Sequence, residues 1–159
     1  MTPCALQTRP ATPDDVAALL ALMREFYAEE QLGFGEAVAQ SALEDLIAHP
    51  DLGCIWLFEY AGVVIGYAVI TFGFSLEFHG RLALLDEFYI IPAERGRGLG
   101  RRGMELIKAW VGTTSVATLR LEVNPSNTRA RSLYQHAGFH DEQRDLFTYW
   151  LQESEPCSA

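Results

Sequence analysis

Cysteine is scarce in this sequence, and no pattern typical of a metal site is present. The three cysteines, Cys4, Cys54 and Cys157, are odd in number and widely spaced, and none belongs to a C-x-x-C pair. The four histidines form no H-E-x-x-H pattern. We therefore expect free thiols in a reducing compartment, with neither a disulfide framework nor a bound metal.

Long apolar runs are also missing. No stretch reaches the roughly 20 apolar residues that span a bilayer, and the N-terminus lacks the charged region followed by an apolar one that marks a secretion signal. These absences predict a cytoplasmic protein without a membrane partner. The 159 residues are 49% hydrophobic and 11% aromatic, enough to bury one core. We expect a single domain over residues 1–159, with a frayed tail at 152–159.

Basic residues are few: 12 Lys and Arg stand against 21 Asp and Glu, for a net charge of −9. This balance argues against nucleic acid as a partner. One window, residues 95–102, nevertheless contains four arginines and no acid: Arg95, Arg97, Arg101 and Arg102. The rest of the chain has eight basic and 21 acidic residues, a net charge of −13. The asymmetry predicts a local anion site on a surface otherwise suited to cations. The plainer interpretation of each arginine is a solvated position on a helix.

Hydrophobic periodicity predicts a mixed α/β fold. A helix starts at Thr12-Pro13, a second helix covers 36–48, and a turn at Ala61-Gly62 joins two β-rich segments. The second helix is expected to place four side chains inward: Val38, Leu43, Leu46 and Ile47. The strands are expected at 54–60, 63–74, 82–91, 116–123 and 145–151, with further helices from 99 and over 128–137. The predicted order is β-α-α-β-β-β-α-β-α-β, a mixed, mostly antiparallel sheet flanked by helices.

Glycines punctuate the loop between the predicted strand 82–91 and the next helix. Gly96, Gly98 and Gly100 leave space for a phosphate, and the free N–H groups of a helix N-terminus favour an anion there. Residues 98–103 also match the dinucleotide fingerprint G-x-G-x-x-G. A Rossmann domain would place that fingerprint after its first strand, whereas three predicted strands precede it here. The loop therefore favours a more heavily phosphorylated ligand than NAD.

At this point a family resemblance is visible. Arg95-x-x-Gly98-x-Gly100 resembles the acyl-CoA signature Q/R-x-x-G-x-G/A of the GNAT superfamily of N-acetyltransferases. The segments FYIIPAERGRGLGRRGMELI and LEVNPSNTRARSLYQHAGF resemble that family's strand-4-to-helix-3 segment and the strand, Asn, helix, Tyr and Gly-Phe that follow. The resemblance covers nearly the whole chain and is specific over about residues 82–139. Within the superfamily, the chain looks most like the spermidine/spermine and diamine acetyltransferases and their bacterial relatives.

The resemblance implies acetyl-CoA as co-substrate. Its pyrophosphate would lie on the amides from Gly96 to Arg101, and Arg101 or Arg102 would reach the 3′-phosphate. Its pantetheine arm would run beside the predicted strand 82–91 and meet Asn127 from the other side. Asn127 is equally well placed as a helix cap. The implied cofactor-binding residues are Phe88, Tyr89, Ile90, Arg95, Gly96, Arg97, Gly98, Leu99, Gly100, Arg101 and Asn127.

Tyr134 matches the family's tyrosine near the thioester sulfur, although its periodicity alone indicates a core residue. A thiol pKa near 8.5 and a tyrosine pKa near 10 make full proton transfer to the thiolate uphill by roughly 2 kcal/mol. Hydrogen bonding to the developing thiolate, followed by donation, is therefore the role that we expect.

The acceptor amine must lose a proton, which costs about 4.6 kcal/mol at pH 7 for a lysine-like amine. Asp86 and Glu87 interrupt an apolar strand and are the predicted proton acceptors; neighbours on a strand face opposite sides, so one of them is expected in the cleft. The alternative is an ordinary ion pair, for example with Arg120. Glu29 and Glu30 resemble the family's second amine-facing acidic site and would otherwise be a solvated helix end.

The sequence thus predicts direct acetyl transfer from acetyl-CoA to a small cationic amine or polyamine, with no cysteine intermediate. The same motifs would suit an acceptor that is an amino acid, an antibiotic or a protein amine. A catalytically silent CoA-binding regulatory domain is the alternative from another class. Dimers are common in similar proteins, so a homodimer is a further expectation.

Overall fold

A five-stranded sheet lies at the centre of the computed structural model, which describes residues 5–151. The strands lie side by side in chain order, and every neighbouring pair is antiparallel except the last, which is parallel. This confirms the predicted mixed, mostly antiparallel sheet. The strands are β1 (Gln7–Pro10), β2 (Gly53–Tyr60), β3 (Val63–Ser75), β4 (Gly80–Ile90) and β5 (Thr118–Leu121), and the helices are α1 (Val16–Glu29), α2 (Glu36–Ala48), α3 (Leu99–Val111) and α4 (Thr128–His136).

Helices cover both faces of the sheet. On one face, α1 and α2 bury apolar side chains such as Leu19 and Leu43 against the strands. On the other, α3 packs Met104 and Ile107 into a second core, to which α4 contributes partly buried side chains. A Cβ at Gly103 would lie 3.2 Å from the Phe58 ring, so this glycine allows α3 its close approach to the sheet.

Local signals in the sequence predicted the connections well. Ala61 and Gly62 have φ angles of 53° and 77°, positive values that the tight two-residue hairpin between β2 and β3 requires. Before α1, a 3₁₀ turn over Pro13–Asp15 carries a capping box between Thr12 and Asp15. The end of α4 is followed by Gly138 at φ 91°, the left-handed position expected of a helix stop.

One predicted strand is absent, a second is shorter than predicted, and one side chain expected inward is exposed. Residues 145–151 form no strand, because strand propensity describes a half-buried surface and this segment has no neighbouring strand within residues 5–151. Of the predicted strand 116–123, only Thr118–Leu121 pairs with β4. Val38 is 76% exposed, because its position at the start of α2 lies outside the apolar stripe. The tail 152–159 lies outside the described residues, as do Cys4 and Cys157.

Within residues 5–151, no helix combines the length and the hydropathy needed to cross a bilayer. The cytoplasmic location and the extent of the domain over 1–159 stay predictions. Cys54 is a free thiol, and burial raises its pKa to about 11, which disfavours the nucleophilic thiolate.

Candidate active site

Strands β4 and β5 diverge at a β-bulge. Their pairing begins at Leu82 and ends where Leu85 lies opposite Leu121, while β4 continues to Ile90. On the other side of β4, the pairing with β3 skips from Leu85 to Glu87. Asp86 is therefore the extra residue of a bulge, which bends a strand and redirects its side chains. The bulge lies at the point where the two parallel strands separate.

The bulge changes the alternation of side chains along β4 between the core under α3 and the core under α1. Before it, Ala83 and Leu85 face the core under α3; after it, Phe88 and Ile90 face that same core. Tyr89 consequently packs under α1. Regular alternation cannot produce this switch, and sequence reasoning missed it. The only signal was the pair of acids within an apolar strand.

Glu87 lies under α1, where two tyrosines hold its carboxylate. It accepts hydrogen bonds from the hydroxyl of Tyr27 at 2.5 Å and from that of Tyr67 at 2.7 Å. Burial raises the pKa of Glu87, the two hydrogen bonds lower it, and the nearby charge of Asp86 raises it further. Burial and the charge of Glu87 raise the pKa of Tyr67 as well. The sequence did not indicate either tyrosine as a partner of Glu87, because their spacing is that of ordinary core residues.

Asp86 has different surroundings. Its side chain is accessible to solvent, and within residues 5–151 it makes no hydrogen bond or ion pair. Partial loss of hydration raises its pKa. The alternative partner, Arg120, instead stacks its guanidinium 4.8 Å from the centre of the Phe78 ring. The bulge therefore presents a carboxylate without a partner beside the split in the sheet.

The loop before α3 offers a row of free backbone donors. In the described part of the chain, the amides of residues 96–101 donate to no protein acceptor, and the first helical hydrogen bond runs from Arg102 N to Gly98 O. Gly96 and Gly98 have φ angles of 75° and 76°, and a Cβ at either would meet no atom within 4 Å. Free amides at a helix N-terminus attract anions, so this loop fits the predicted phosphate site.

Arg95 ties this loop to α1. Its guanidinium makes a two-pronged ion pair with Glu29 at 2.8 and 2.7 Å, and its Nε donates to the backbone O of Ile90 at 2.6 Å. The guanidinium also lies 5.3 Å from the centre of the Tyr89 ring. The charge of Glu29 is thereby balanced, and one of the β4 carbonyls expected to face the cofactor already has a donor.

The other arginines of the cluster also have acidic neighbours. Arg97 pairs with Glu94, and both Arg101 and Arg102 pair with Glu105. The pairs with Glu105 are exposed, and exposed ion pairs contribute about 0–1 kcal/mol. Arg101 and Arg102 can therefore turn towards an incoming anion at little cost.

Asn127 connects the start of α4 to the end of α1. Its Oδ1 accepts from the backbone N of Ala130 at 3.0 Å, which confirms the helix cap, and its Nδ2 donates to Glu30 Oε1 at 3.0 Å. A polar cleft of about 320 Å³ opens here, lined by Glu29, Glu30, Gln31, Asn124, Ser126 and Asn127.

Tyr134 lies about two turns further along α4. Its ring packs edge-on against Phe139 at 6.0 Å, and it borders the core under α3. Burial, with a contribution from the charge of Glu30, raises the pKa of its hydroxyl to about 12. The structure thus brings the hydroxyl within electrostatic reach of Glu30 and keeps it protonated at neutral pH.

Comparisons with known proteins agree with this geometry. The model of the acetyltransferase (GNAT) family matches residues 19–139. An uncharacterised N-acetyltransferase of Bacillus subtilis strain 168 is 29% identical over 141 residues, with 86% of this chain and 91% of that protein covered. Thialysine N-epsilon-acetyltransferase of Bos taurus is 28% identical over 149 residues, with 84% and 83% covered. The crystal structure of an integron cassette protein from the mobile metagenome of Cole Harbour Salt Marsh superposes with a TM-score of 0.82 at 34% identity, covering 93% and 92%.

Proposed function

This chain belongs to the acetyltransferase (GNAT) family and is an acetyl-CoA-dependent N-acetyltransferase, and from that premise we propose that it acetylates a primary amine of a small cationic amine or polyamine by direct transfer. The proposal rests above all on Asp86, which lies at the bulge where β4 and β5 separate and has no hydrogen-bond or ion-pair partner within residues 5–151. An ammonium must lose its proton before acetylation, and a carboxylate at this position can accept it.

The loop before α3 suits the phosphates of acetyl-CoA. We assign the pyrophosphate to the amides from Gly96 to Arg101, none of which has another acceptor in the described chain, and the 3′-phosphate to Arg101 or Arg102. Bound acetyl-CoA supplies an acetyl group activated as a thioester. We assign contact with its pantetheine arm to the backbone of Phe88 and Tyr89 and, from the other side, to Asn127.

Tyr134 is the proposed hydrogen-bond donor to the departing sulfur. Its pKa of about 12 lies about 3.5 above that of a thiol, so full proton transfer from the hydroxyl would be uphill by roughly 5 kcal/mol. A donor that keeps its proton still stabilises negative charge as that charge develops. We therefore give Tyr134 an electrostatic role, with the final protonation of the thiolate left to solvent.

Asp86 is the proposed proton acceptor for the amine, directly or through one water. Its raised pKa makes the carboxylate more basic than an ordinary aspartate, which improves proton transfer from an ammonium. Glu87 is bonded to Tyr27 and Tyr67 instead, and we assign it a positioning role that holds β4 beyond the bulge.

The preference for a cationic acceptor is supported by charge. Asp86 and Glu30 supply negative charge. The charge of Glu29 is balanced by Arg95, so we do not assign Glu29 to ammonium binding. A second ammonium on the acceptor would stay charged near Glu30 while the first loses its proton. The thialysine N-epsilon-acetyltransferase among the relatives is named for transfer to the ε-nitrogen of thialysine, the amine of an amino-acid side chain, which also suits the amino-acid alternative.

A thiol-release assay with acetyl-CoA tests the proposal over diamines, polyamines, amino acids, aminoglycosides and peptides. We expect diamines and polyamines to give the highest kcat/KM. Preference for another class would overturn the acceptor assignment and leave the acetyltransferase. Tight CoA binding without turnover of any amine would instead favour a regulatory CoA-binding domain.

A further inference from the structure

The loop before α3 is rich in glycine, so a phosphate site built from its backbone needs support from outside the loop. Residues 96–100 include Gly96, Gly98 and Gly100, and glycine loses more conformational freedom on folding than any other residue. Backbone amides bind an anion well only when they already point towards it, because ordering them on binding costs affinity. Helix α3 fixes the far end of the loop, and the near end begins at Arg95.

The Arg95 side chain holds this near end through contacts to two other elements. Its Nε donates to the backbone O of Ile90 in β4 at 2.6 Å, and its terminal nitrogens donate to Glu29 in α1 at 2.8 and 2.7 Å. Its guanidinium also lies 5.3 Å from the centre of the Tyr89 ring. Only 16% of the Arg95 side chain is exposed. One side chain therefore joins the loop, β4 and α1.

The end of α1 is itself anchored on either side of Glu29. One turn earlier, Glu25 accepts a hydrogen bond from the Tyr89 hydroxyl at 3.1 Å. The next residue, Glu30, accepts one from Asn127 Nδ2 at 3.0 Å. The carboxylate of Glu29 thus projects from a turn that is tied both to β4 and to the start of α4, and it gives Arg95 a fixed partner.

We infer that Glu29 and Arg95 are positioning residues for acetyl-CoA: the pair fixes the near end of the loop so that the amides of residues 96–101 face the phosphates, and Arg95 itself binds no phosphate. The inference rests on the proposed phosphate site. It differs from the roles that the family resemblance implies, which are cofactor contact for Arg95 and amine contact for Glu29. It does not depend on the identity of the acceptor.

The contacts of the arginines separate two roles. To reach a phosphate, Arg95 would have to give up a two-pronged, charge-assisted pair, which is among the stronger hydrogen-bonded arrangements, and would leave Glu29 without that partner. Arg101 and Arg102 share one carboxylate, that of Glu105, and their side chains are 75% and 56% exposed. Such exposed pairs break at little cost. Arg95 therefore shapes the loop, and Arg101 and Arg102 are the arginines free to bind.

Calorimetry with CoA, in the absence of any amine, tests the sign of the Glu29 effect. Glu29→Gln keeps the side-chain length and removes the charge. We expect the loosened loop to lower CoA affinity by about 5- to 30-fold, as for one or two weakened hydrogen bonds to the phosphates. If Arg95 were a phosphate ligand, the same change would free it and remove a nearby negative charge. CoA affinity that rises or stays at the wild-type value would therefore overturn the inference.

A double-variant cycle tests whether Glu29 acts through Arg95. Arg95→Met removes the guanidinium and should weaken CoA binding by a similar factor. Glu29→Gln/Arg95→Met should bind CoA no more weakly than Arg95→Met alone, because both changes remove the same contact; additive losses would overturn the inference. The matched control is Glu77→Gln, which alters another two-pronged pair, with Arg144. It should keep CoA affinity, and an equal loss there would also overturn the inference.

Steady-state kinetics separate the co-substrate from the acceptor, with circular dichroism to confirm that each variant is folded. Glu29→Gln should raise the KM for acetyl-CoA and leave the KM of a diamine unchanged at saturating acetyl-CoA. A raised diamine KM with unchanged CoA affinity would place Glu29 at the amine and overturn the inference.

Gly98→Val in the same calorimetric series reports on the phosphate site itself. If this variant keeps wild-type CoA affinity, the proposed phosphate site is wrong and the inference fails with it. If Gly98→Val loses affinity while Glu29→Gln does not, the phosphate site stands and the positioning role alone is wrong.

Discussion

Two neighbouring acids show how local surroundings separate chemical roles. Glu87 is enclosed by tyrosines under α1, whereas Asp86 is exposed to solvent at the bulge and has no partner among the described residues. A carboxylate that already accepts two hydrogen bonds is poorly placed to take a proton from an incoming amine. The bulge therefore decides which of the two is available for chemistry.

Replacing Tyr134 with Phe removes the hydroxyl and keeps the ring that packs on Phe139. We expect kcat to fall roughly 100- to 1000-fold, as for the loss of one preorganised hydrogen-bond donor to a developing negative charge, with acetyl-CoA affinity unchanged. Single-turnover kinetics with saturating amine measure the chemical step. Tyr149→Phe, on an exposed ring, should keep wild-type kcat. A chemical step as fast in Tyr134→Phe as in the wild type would return this residue to a packing role.

Glu87→Gln should change stability with a defined pH dependence. Burial raises the pKa of Glu87 in the folded state, so ionisation costs stability once the pH passes the unfolded pKa. The variant cannot ionise, so its stability relative to wild type should rise from acid to neutral pH. Urea unfolding across this range measures the difference.

Asp15→Asn should show the opposite pH dependence of stability in the same unfolding experiment. The Arg9 guanidinium holds the pKa of Asp15 well below its usual range, so the charged form stabilises the fold at neutral pH. This variant should lose stability at neutral pH, and the loss should shrink as the pH falls towards the folded pKa. The burial argument would be contradicted if the difference in unfolding free energy between Glu87→Gln and wild type did not change with pH. It would also be contradicted if that difference changed in the same direction as for Asp15→Asn.

At the scale of elements, the loop and the start of α3 form the proposed phosphate cradle, and Gly98→Val tests it. A branched residue at φ 76° costs of order 1–3 kcal/mol in backbone strain, and its relaxation would turn the free amides away from the ligand. We expect CoA affinity to fall about 100-fold or more by calorimetry, while the chain stays folded.

Gly62→Val is the matched control, because Gly62 has φ 77° and an equally open Cβ position in the hairpin between β2 and β3. It should lose similar stability and keep CoA affinity. Equal loss of affinity in the two variants would mean that strain alone, and not the cradle, explains the effect.

Elements whose signals are local were predictable from the sequence. The range of α2 and the hairpin at Ala61-Gly62 depend on neighbouring residues, so their patterns indicated them correctly. The ion pair between Arg95 and Glu29 joins residues 66 positions apart, and no local pattern reports it. The bulge at Asp86 likewise depends on the register between β3 and β4. Whether residues 145–151 form a strand depends on a neighbouring strand, which the described chain does not provide.

At the scale of the whole molecule, charge is distributed for two different ligands. In the proposed account, the net charge of −9 favours cationic amines, and the amides and arginines before α3 are the proposed, separate site for the phosphates of acetyl-CoA. Exposed charges are screened beyond about 10 Å at 0.1 M salt. A cationic acceptor that is attracted by these exposed charges should therefore show a KM that rises with salt concentration.

The most direct test of the central claim is the pH–rate profile of wild type and Asp86→Asn on one diamine and its matched monoamine. The account predicts a higher kcat/KM for the diamine in the wild type. It predicts that Asp86→Asn loses most activity near neutral pH and recovers part of it near pH 9. At pH 9 roughly 100 times more of an amine with a pKa near 10.4 is already deprotonated than at pH 7. Equal rates for the two amines, together with an Asp86→Asn profile that matches wild type, would contradict it.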